Sequence, residues 1–384
     1  MKLPTALWSG FRLAFTLLLL ASVPAAAQQS QPAAPVATEA ATGSELTWNG
    51  FVSASRTMNS NRPAVRRNGF RVFDFRDRTL ELDVAEVAVQ KAISKPGETG
   101  FRIDAEAGST IPRVTAQSGL FRDAKTGEAD DVDLKQAYAS WIAPVGKGLR
   151  VDLGKFVTHM GYELIEGYDG WNTNHTRSFL FGYAIPFTHT GLRLSYPLTD
   201  KLSGQLHVVQ GWDNFQDNNS AKSVGYQLLY ALDPAWTITL NGMTGPEQTG
   251  NNGNDRSVLD VIVQWKASDT LSLGLNFDHG REQNALGLGA DASWRGTAGY
   301  ARVAVSKKWA LNFRGEVFDD LDGARTGVAQ TLREVTFTPE YRIDEHTIIR
   351  ADLRKDWSST ASFFDGVTPA DSQFTASINL MLVY

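Results

Sequence analysis

The last residues of the chain, Phe374 to Tyr384, alternate with period two. Phe374, Ala376, Ile378, Leu380, Leu382 and Tyr384 fall on one face, with Ser377 and Asn379 among the small or polar positions of the other. Such a strand needs an apolar medium on one side only, and a terminal ring suits the boundary between headgroup and hydrocarbon. The pattern predicts a chain that ends by closing a transmembrane β-barrel.

The other end fits that destination. Lys2 and Arg12 precede the apolar run Leu13 to Ala21 and the small-residue site Ala25-Ala26-Ala27, which reads as a secretory signal cleaved after Ala27. A membrane anchor fits less well, because the apolar run is short and no basic cluster follows it. Loss of the two positive charges takes the formal net charge from -5 to -7, which argues against a nucleic-acid partner. Residues 28–45, rich in Ala, Pro, Gln, Ser and Thr, read as a flexible periplasmic leader, and residues 46–384 as the barrel.

No other segment has the length and apolar content of a membrane-spanning helix, so a helical membrane protein is excluded. A barrel is compatible with the low average hydropathy, since its strands expose apolar side chains only at alternate positions. The absence of cysteine fits an exported chain that needs no disulfide.

Strand-like segments recur near 46–58, 78–91, 99–109, 132–143, 148–158, 187–197, 201–211, 222–232, 235–244, 256–267, 270–280, 292–306, 309–319, 329–342, 345–357 and 371–384. Their separators alternate between short and long. The short ones carry turn chemistry, for example Lys95-Pro96-Gly97, Pro144 to Gly148, Asp233-Pro234 and Ile343-Asp344-Glu345. The long ones lie near 59–77, 110–131, 159–186, 212–221, 245–255, 281–291, 320–328 and 358–370. This is the rhythm of an all-β, antiparallel, up-and-down barrel of about sixteen strands, with short periplasmic turns, long external loops and both termini periplasmic. Trp236, Trp309, Tyr230, Trp265, Tyr341 and Tyr384 sit near strand ends as a periplasmic aromatic girdle.

Alternation assigns the faces. Leu271, Leu273, Leu275 and Phe277 oppose Ser272, Gly274, Asn276 and Asp278, and Phe101, Ile103, Ala105 and Ala107 oppose Arg102, Asp104 and Glu106. A soluble sandwich also alternates, but it offers no second apolar layer for sixteen strands. On the inward face an Arg-x-acid pair repeats as Arg102-x-Asp104, Arg150-x-Asp152, Arg314-x-Glu316 and Arg350-x-Asp352. Spacing of two puts both members on one side of a strand. They either pair with one another along a hydrated wall or create a transverse field in a pore, and both readings require a polar, water-filled interior. Inward acids Glu81, Asp83, Glu106, Asp260, Asp278, Glu334 and Glu340 outnumber the unpaired inward cations, such as Arg193 and Arg354, which predicts a weak preference for cations.

The longest external segment, His159 to Phe187, mixes aromatic, acidic and basic residues. A loop this long calls for something to fold against, and we expect it to fold inward and narrow the pore through Tyr162, Glu163, Glu166, Asp169, Trp171 and Arg177. The competing expectation is an external lid or a protomer contact.

Gly154-Lys155-Phe156, Gly161-Tyr162-Glu163, Pro186 with His189-Thr190-Gly191, and Gly211-Trp212-Asp213, in this order, resemble the β-barrel porin family described as OmpL-like. The resemblance covers most of the mature chain. It implies an outer-membrane porin without naming a solute, and it carries no catalytic residues. The six histidines lie on different predicted elements. His159 and Glu163 would share a face only if that stretch were helical, and there is no zinc spacing, phosphate loop or Gly-x-Ser-x-Gly elbow. The expected function is passive diffusion of small polar solutes or ions, with no chemistry and no cofactor. The expected partners are outer-membrane lipid, the barrel-assembly machinery acting on the strand that ends in Tyr384, and, compatible with an apolar outer face, two further copies in a homotrimer. The alternatives are a non-conducting adhesin or structural barrel, and a barrel enzyme.

Overall fold

The computed structural model describes residues 45–116 and 118–384, so the signal 1–27 and nearly all of the leader 28–45 lie outside the described residues. Sixteen strands close into one antiparallel barrel. They are β1 Leu46–Asn59, β2 Leu80–Lys91, β3 Thr99–Ala107, β4 Val132–Ala143, β5 Leu149–Val157, β6 Thr188–Pro197, β7 Leu202–Val209, β8 Ser223–Ala231, β9 Trp236–Pro246, β10 Asp255–Lys266, β11 Leu271–Gly287, β12 Ala290–Ala304, β13 Trp309–Asp320, β14 Gln330–Arg342, β15 Thr347–Ser358 and β18 Ser372–Val383. A small hairpin, β16 Phe363–Asp365 with β17 Thr368–Ala370, sits in the last long loop, and two short helices, α1 Ile111–Val114 and α2 Phe179–Tyr183, lie in earlier ones.

Each barrel strand pairs with the next along the chain, β15 pairing with β18 across the β16–β17 hairpin, and β18 closes the ring on β1. Gly50 and Tyr384 exchange both backbone hydrogen bonds at 2.8 Å, so the last residue of the chain completes the seam. Among the described residues no strand edge of the barrel remains unpaired, which is what a hydrocarbon surrounding demands of a sheet.

Burial is inverted relative to a water-soluble sheet. Ile378 is 58% exposed while Asn379 beside it is 1% exposed, and Phe313 alternates with buried Asn312 and Arg314 in the same way. The apolar set faces outward and the charged set inward, as the alternation requires. At the end carrying the short turns, Trp236 stacks on Trp265 at 4.9 Å, Trp309 lies 4.7 Å from Tyr341, and His346 stacks on Tyr384 at 4.5 Å.

Two departures from strict period two matter for the lumen. The β1–β2 register shifts between Ser53 and Ala54 and leaves Asp83 as an extra residue, so that Asp83 and Val84 both point inward. The β3–β4 register shifts between Asp104 and Ala105, which turns both Lys135 and Gln136 inward. Bulges re-aim side chains in this way. Beyond the first bulge Glu86 faces the lumen, where an unbroken alternation from Glu81 and Asp83 places it outside. Segment 281–291, expected as a loop, instead continues β11 and β12 to a turn at Leu288-Gly289. Past the apolar belt both faces meet water, so polar residues on both faces carry no alternation to read.

Candidate functional site: the lumen and its inward loop

Segment 158–187 enters the barrel and bridges it. Tyr168 N–H donates to Glu86 of β2 at 3.1 Å, and Arg102 of β3 grips Asp169 at 2.7 Å. Toward the opposite wall, Gly161 N–H donates to Asp260 of β10 at 2.7 Å and Tyr162 N–H to Asn276 of β11 at 3.0 Å. The Tyr162 ring stacks on Tyr300 of β12 at 4.0 Å. It can do so because position 274 is glycine: a Cβ there would lie 2.3 Å from the ring.

The four Arg-x-acid pairs divide into two kinds. Arg102 Nε donates to both oxygens of Asp104 at 2.9 Å, and Arg150 Nε to Asp152 Oδ1 at 2.9 Å, so these close on themselves, with Arg102 keeping a second nitrogen for Asp169 of the loop. The other two are split to hold the loop. Arg314 bonds Glu163 and Glu334, each at 2.6 Å, while Glu316 accepts the Phe179 and Leu180 N–H groups that open α2. Arg350 bonds Glu166 at 2.8 Å, while Asp352 accepts the His175 and Thr176 N–H groups at 3.2 and 2.8 Å. Free N–H groups at the start of a turn are natural ligands for a carboxylate. The spacing alone does not distinguish these roles, because the partners come from a loop distant in sequence.

Charges on the loop are set by this company. Burial pushes the Glu166 carboxyl up, but Arg177 and Arg350 outweigh it and hold it down at about 2. Arg193 and Arg354, expected to be unpaired, are not. Arg193 sits opposite Asp152 in register and bonds it at 2.7 Å, and Arg354 bonds Asp356 at 2.6 Å. Among the acids, Glu81 pairs with Arg76, Glu334 with Arg314 and Glu340 with Arg302. Asp83 is held only by neutral donors, chiefly Ser53 and Ser55, and Asp260 by Asn241, Asn276 and a backbone N–H. Glu106 Oε2 and Asp278 Oδ2 have no hydrogen-bond partner.

The lumen is not uniformly polar, contrary to expectation. Phe179, Leu180, Phe181, Ile185 and Phe187 of the loop pack with Phe73 from segment 60–79 and with inward Phe156, Trp212, Trp294 and Phe318 of the barrel and its rim. Trp294 Nε1 donates to the Ala184 carbonyl at 3.0 Å, so even the polar tip of this cluster is satisfied. A second cluster holds Phe51, Ile348 and Met381 against Trp171 and Tyr168. Period-two reading assigns these inward residues to a wet wall, and only the apolar half of the loop signals that something dry covers them.

Three histidines from separate elements meet at the root of the loop. His159 stacks on His207 at 4.0 Å and lies 5.9 Å from His189. The stretch His159 to Glu163 is not helical, so His159 and Glu163 do not share a helix face: one meets the histidines and the other Arg314. Among the described residues no group of three or more His, Cys, Asp or Glu is placed to hold a metal ion.

Between the loop and the β1–β3 wall lies a small, partly open cavity with Asp83, Glu106, Glu166, His175 and Arg177 in its lining. The predicted lining residues Asp104, Asp152, Arg193, Asp278, Arg314, Glu316, Arg350 and Asp352 are all buried on the inner wall, with Arg102 and Arg150 part-buried there. All six predicted loop residues, from Tyr162 to Arg177, lie inside the barrel.

A closed sixteen-stranded barrel with an apolar outer belt, a charged inner wall and a long loop folded within it defines a porin of the outer membrane. The chain belongs to the family described as "Putative beta-barrel porin-2, OmpL-like", which it matches over residues 45–383. No curated protein sequence matches it. Its fold is similar to that of the anion-selective porin from Comamonas acidovorans, with a TM-score of 0.58 at 12% identity over 88% of this chain and 99% of that one. It is similar also to OmpF of Salmonella typhi solved with daunomycin, with a TM-score of 0.59 at 12% identity over 89% and 98%. OmpT of Vibrio cholerae in its trimer form gives a TM-score of 0.56 at 10% identity over 88% and 99%. At these identities the likeness is one of fold.

Proposed function

We propose that this porin passes small hydrophilic solutes and ions by diffusion through a lumen narrowed by residues 159–186, with a weak preference for cations. The observation that carries the reading is the bridging loop, bound to Arg314 and Arg350 on one wall and to Arg102 on the other. What it leaves open is bordered by Asp83 and Glu106, two carboxylates without a cation partner, whereas Glu163 and Glu166 are neutralised by arginines. In a narrow low-dielectric passage an uncompensated charge sets the sign of the favoured ion. The ladder formed by Arg102, Arg150 and Arg193 with Asp104, Asp152 and the loop's Asp169 is internally balanced and tunes the field without setting its sign. The proposal assigns no reaction to the chain.

Placing both termini on the periplasmic side follows from the short turns, as in other barrels of this membrane. The strand that ends in Tyr384 would present itself to the barrel-assembly machinery, and the trimer form of the similar Vibrio cholerae OmpT supports assembly as a homotrimer.

The test is the reversal potential of the purified protein in a planar bilayer under a salt gradient. We expect a small potential of cation-selective sign, moved toward the anion side by Asp83→Asn with Glu106→Gln. The packed lumen favours one competing reading, a non-conducting structural or adhesive barrel. A folded protein that stays electrically silent would establish it.

A further inference from the structure

The cavity beside the β1–β3 wall carries two buried groups that nothing in the fold satisfies. Glu106, 3% exposed, leaves Oε2 without a partner. Its neighbouring lysines are engaged elsewhere, Lys135 with Glu86 and Lys155 with Asp133. His175, 4% exposed, lines the same cavity and has no partner for either ring nitrogen, although its backbone N–H is fixed on Asp352. Asp83, brought inward by the β-bulge, adds a second carboxylate bound only by neutral donors. Buried polar groups are normally paired, and an unpaired buried carboxylate is costly, so such a set marks the place of an absent partner.

The chemistry of the set specifies that partner. Two carboxylates and an imidazole with unpartnered ring nitrogens offer acceptors to a cation with several N–H donors. The metal-ion alternative is disfavoured, since no group of three such side chains among the described residues is close enough to chelate one. Of the remaining lining, Glu166 and Arg177 neutralise each other at 3.1 Å, and Phe73, Ile111 and Val114 form an apolar side toward the first two long loops. We propose that this cavity is a binding site inside the lumen for a small primary ammonium carrying a short apolar group, its N–H donors shared among Asp83, Glu106 and His175 directly or through bridging water. The assignment rests on the porin reading in that it names a class of solute for the same lumen. It is tested by binding, so its failure and the failure of that reading are separable.

The experiment is calorimetric titration of the full-length protein in detergent with n-butylammonium chloride against a potassium chloride background. Saturable binding is expected, weakened about tenfold or more by Glu106→Gln and by His175→Leu. Tetramethylammonium, which has the charge but no N–H donor, should bind at least about tenfold more weakly. Val114→Phe fills the apolar side without touching a charge, and should weaken n-butylammonium while leaving ammonium ion unchanged. Circular dichroism establishes that each variant keeps its strands. Absence of saturable binding to the wild type overturns the proposal, as does equal affinity for tetramethylammonium or for the folded Glu106→Gln variant. Binding by a protein that is silent in the bilayer would uphold the site and remove the diffusion reading, and conduction without binding would do the reverse.

Discussion

At the scale of single residues, the lumen is governed by whether each buried charge has an opposite. Arg314 is a clear case, because it bonds both Glu163 and Glu334 in full burial. Replacing it with methionine keeps much of the volume but leaves Glu163 without its cation and Glu334 with Arg354 alone at 3.6 Å, at a cost of about 3–5 kcal/mol. Urea unfolding of Arg314→Met in lipid vesicles should show that loss, and adding Glu163→Gln should recover part of it. A stability equal to wild type would mean that the arginine is solvated. Gly154 is set by backbone geometry instead. Its φ is +143°, and a Cβ would lie 2.2 Å from the Ala137 carbonyl oxygen. Gly154→Ala should therefore fold poorly while Lys155→Arg, one residue on and still able to reach Asp133, folds, as judged by strand content after refolding.

At the scale of the element, the inward loop is held by groups that respond to acid. His159, packed against His189 and His207 with Arg193 close by, is pushed by burial to about 3, below its ordinary 6.5. Glu166 is held at about 2, below its ordinary 4.5. For both groups the docked loop binds fewer protons than a released one, so docking is favoured at neutral pH. It weakens as pH falls, first through 6.5 to about 3 for His159 and then through 4.5 to about 2 for Glu166. Single-channel conductance should rise on acidification across this range. In Glu166→Gln it should start higher at neutral pH and change less below pH 4.5. A conductance independent of pH would show that the loop is not held by these groups. That the loop folds inward is legible in its length and mixed chemistry, but its anchors are not. Arg314-x-Glu316 and Arg150-x-Asp152 look alike along a strand, and only tertiary proximity to Glu163 and to the start of α2 separates an anchor from a self-paired couple.

At the scale of the whole molecule, the barrel was readable because a membrane imposes one rule on every strand. Strand limits follow alternation to within a few residues where one face meets lipid, and fail at β11 and β12, where both faces meet water. The filled interior was not readable, because inward Phe156, Trp294 and Phe318 are dry only when Phe179, Leu180 and Phe181 arrive from another part of the chain. Likewise the bulges that turn Glu86 and Lys135 into the lumen leave no mark in composition. The molecule is thus a wide barrel bridged within by one loop. The most direct measurement is the single-channel conductance of the wild type beside a Glu166→Gln, Arg350→Gln double variant, which removes the 2.8 Å bond between loop and wall. Small steps in the wild type and steps severalfold larger in the variant are predicted. Equal steps in the two proteins, with both folded, would contradict a lumen narrowed by residues 159–186.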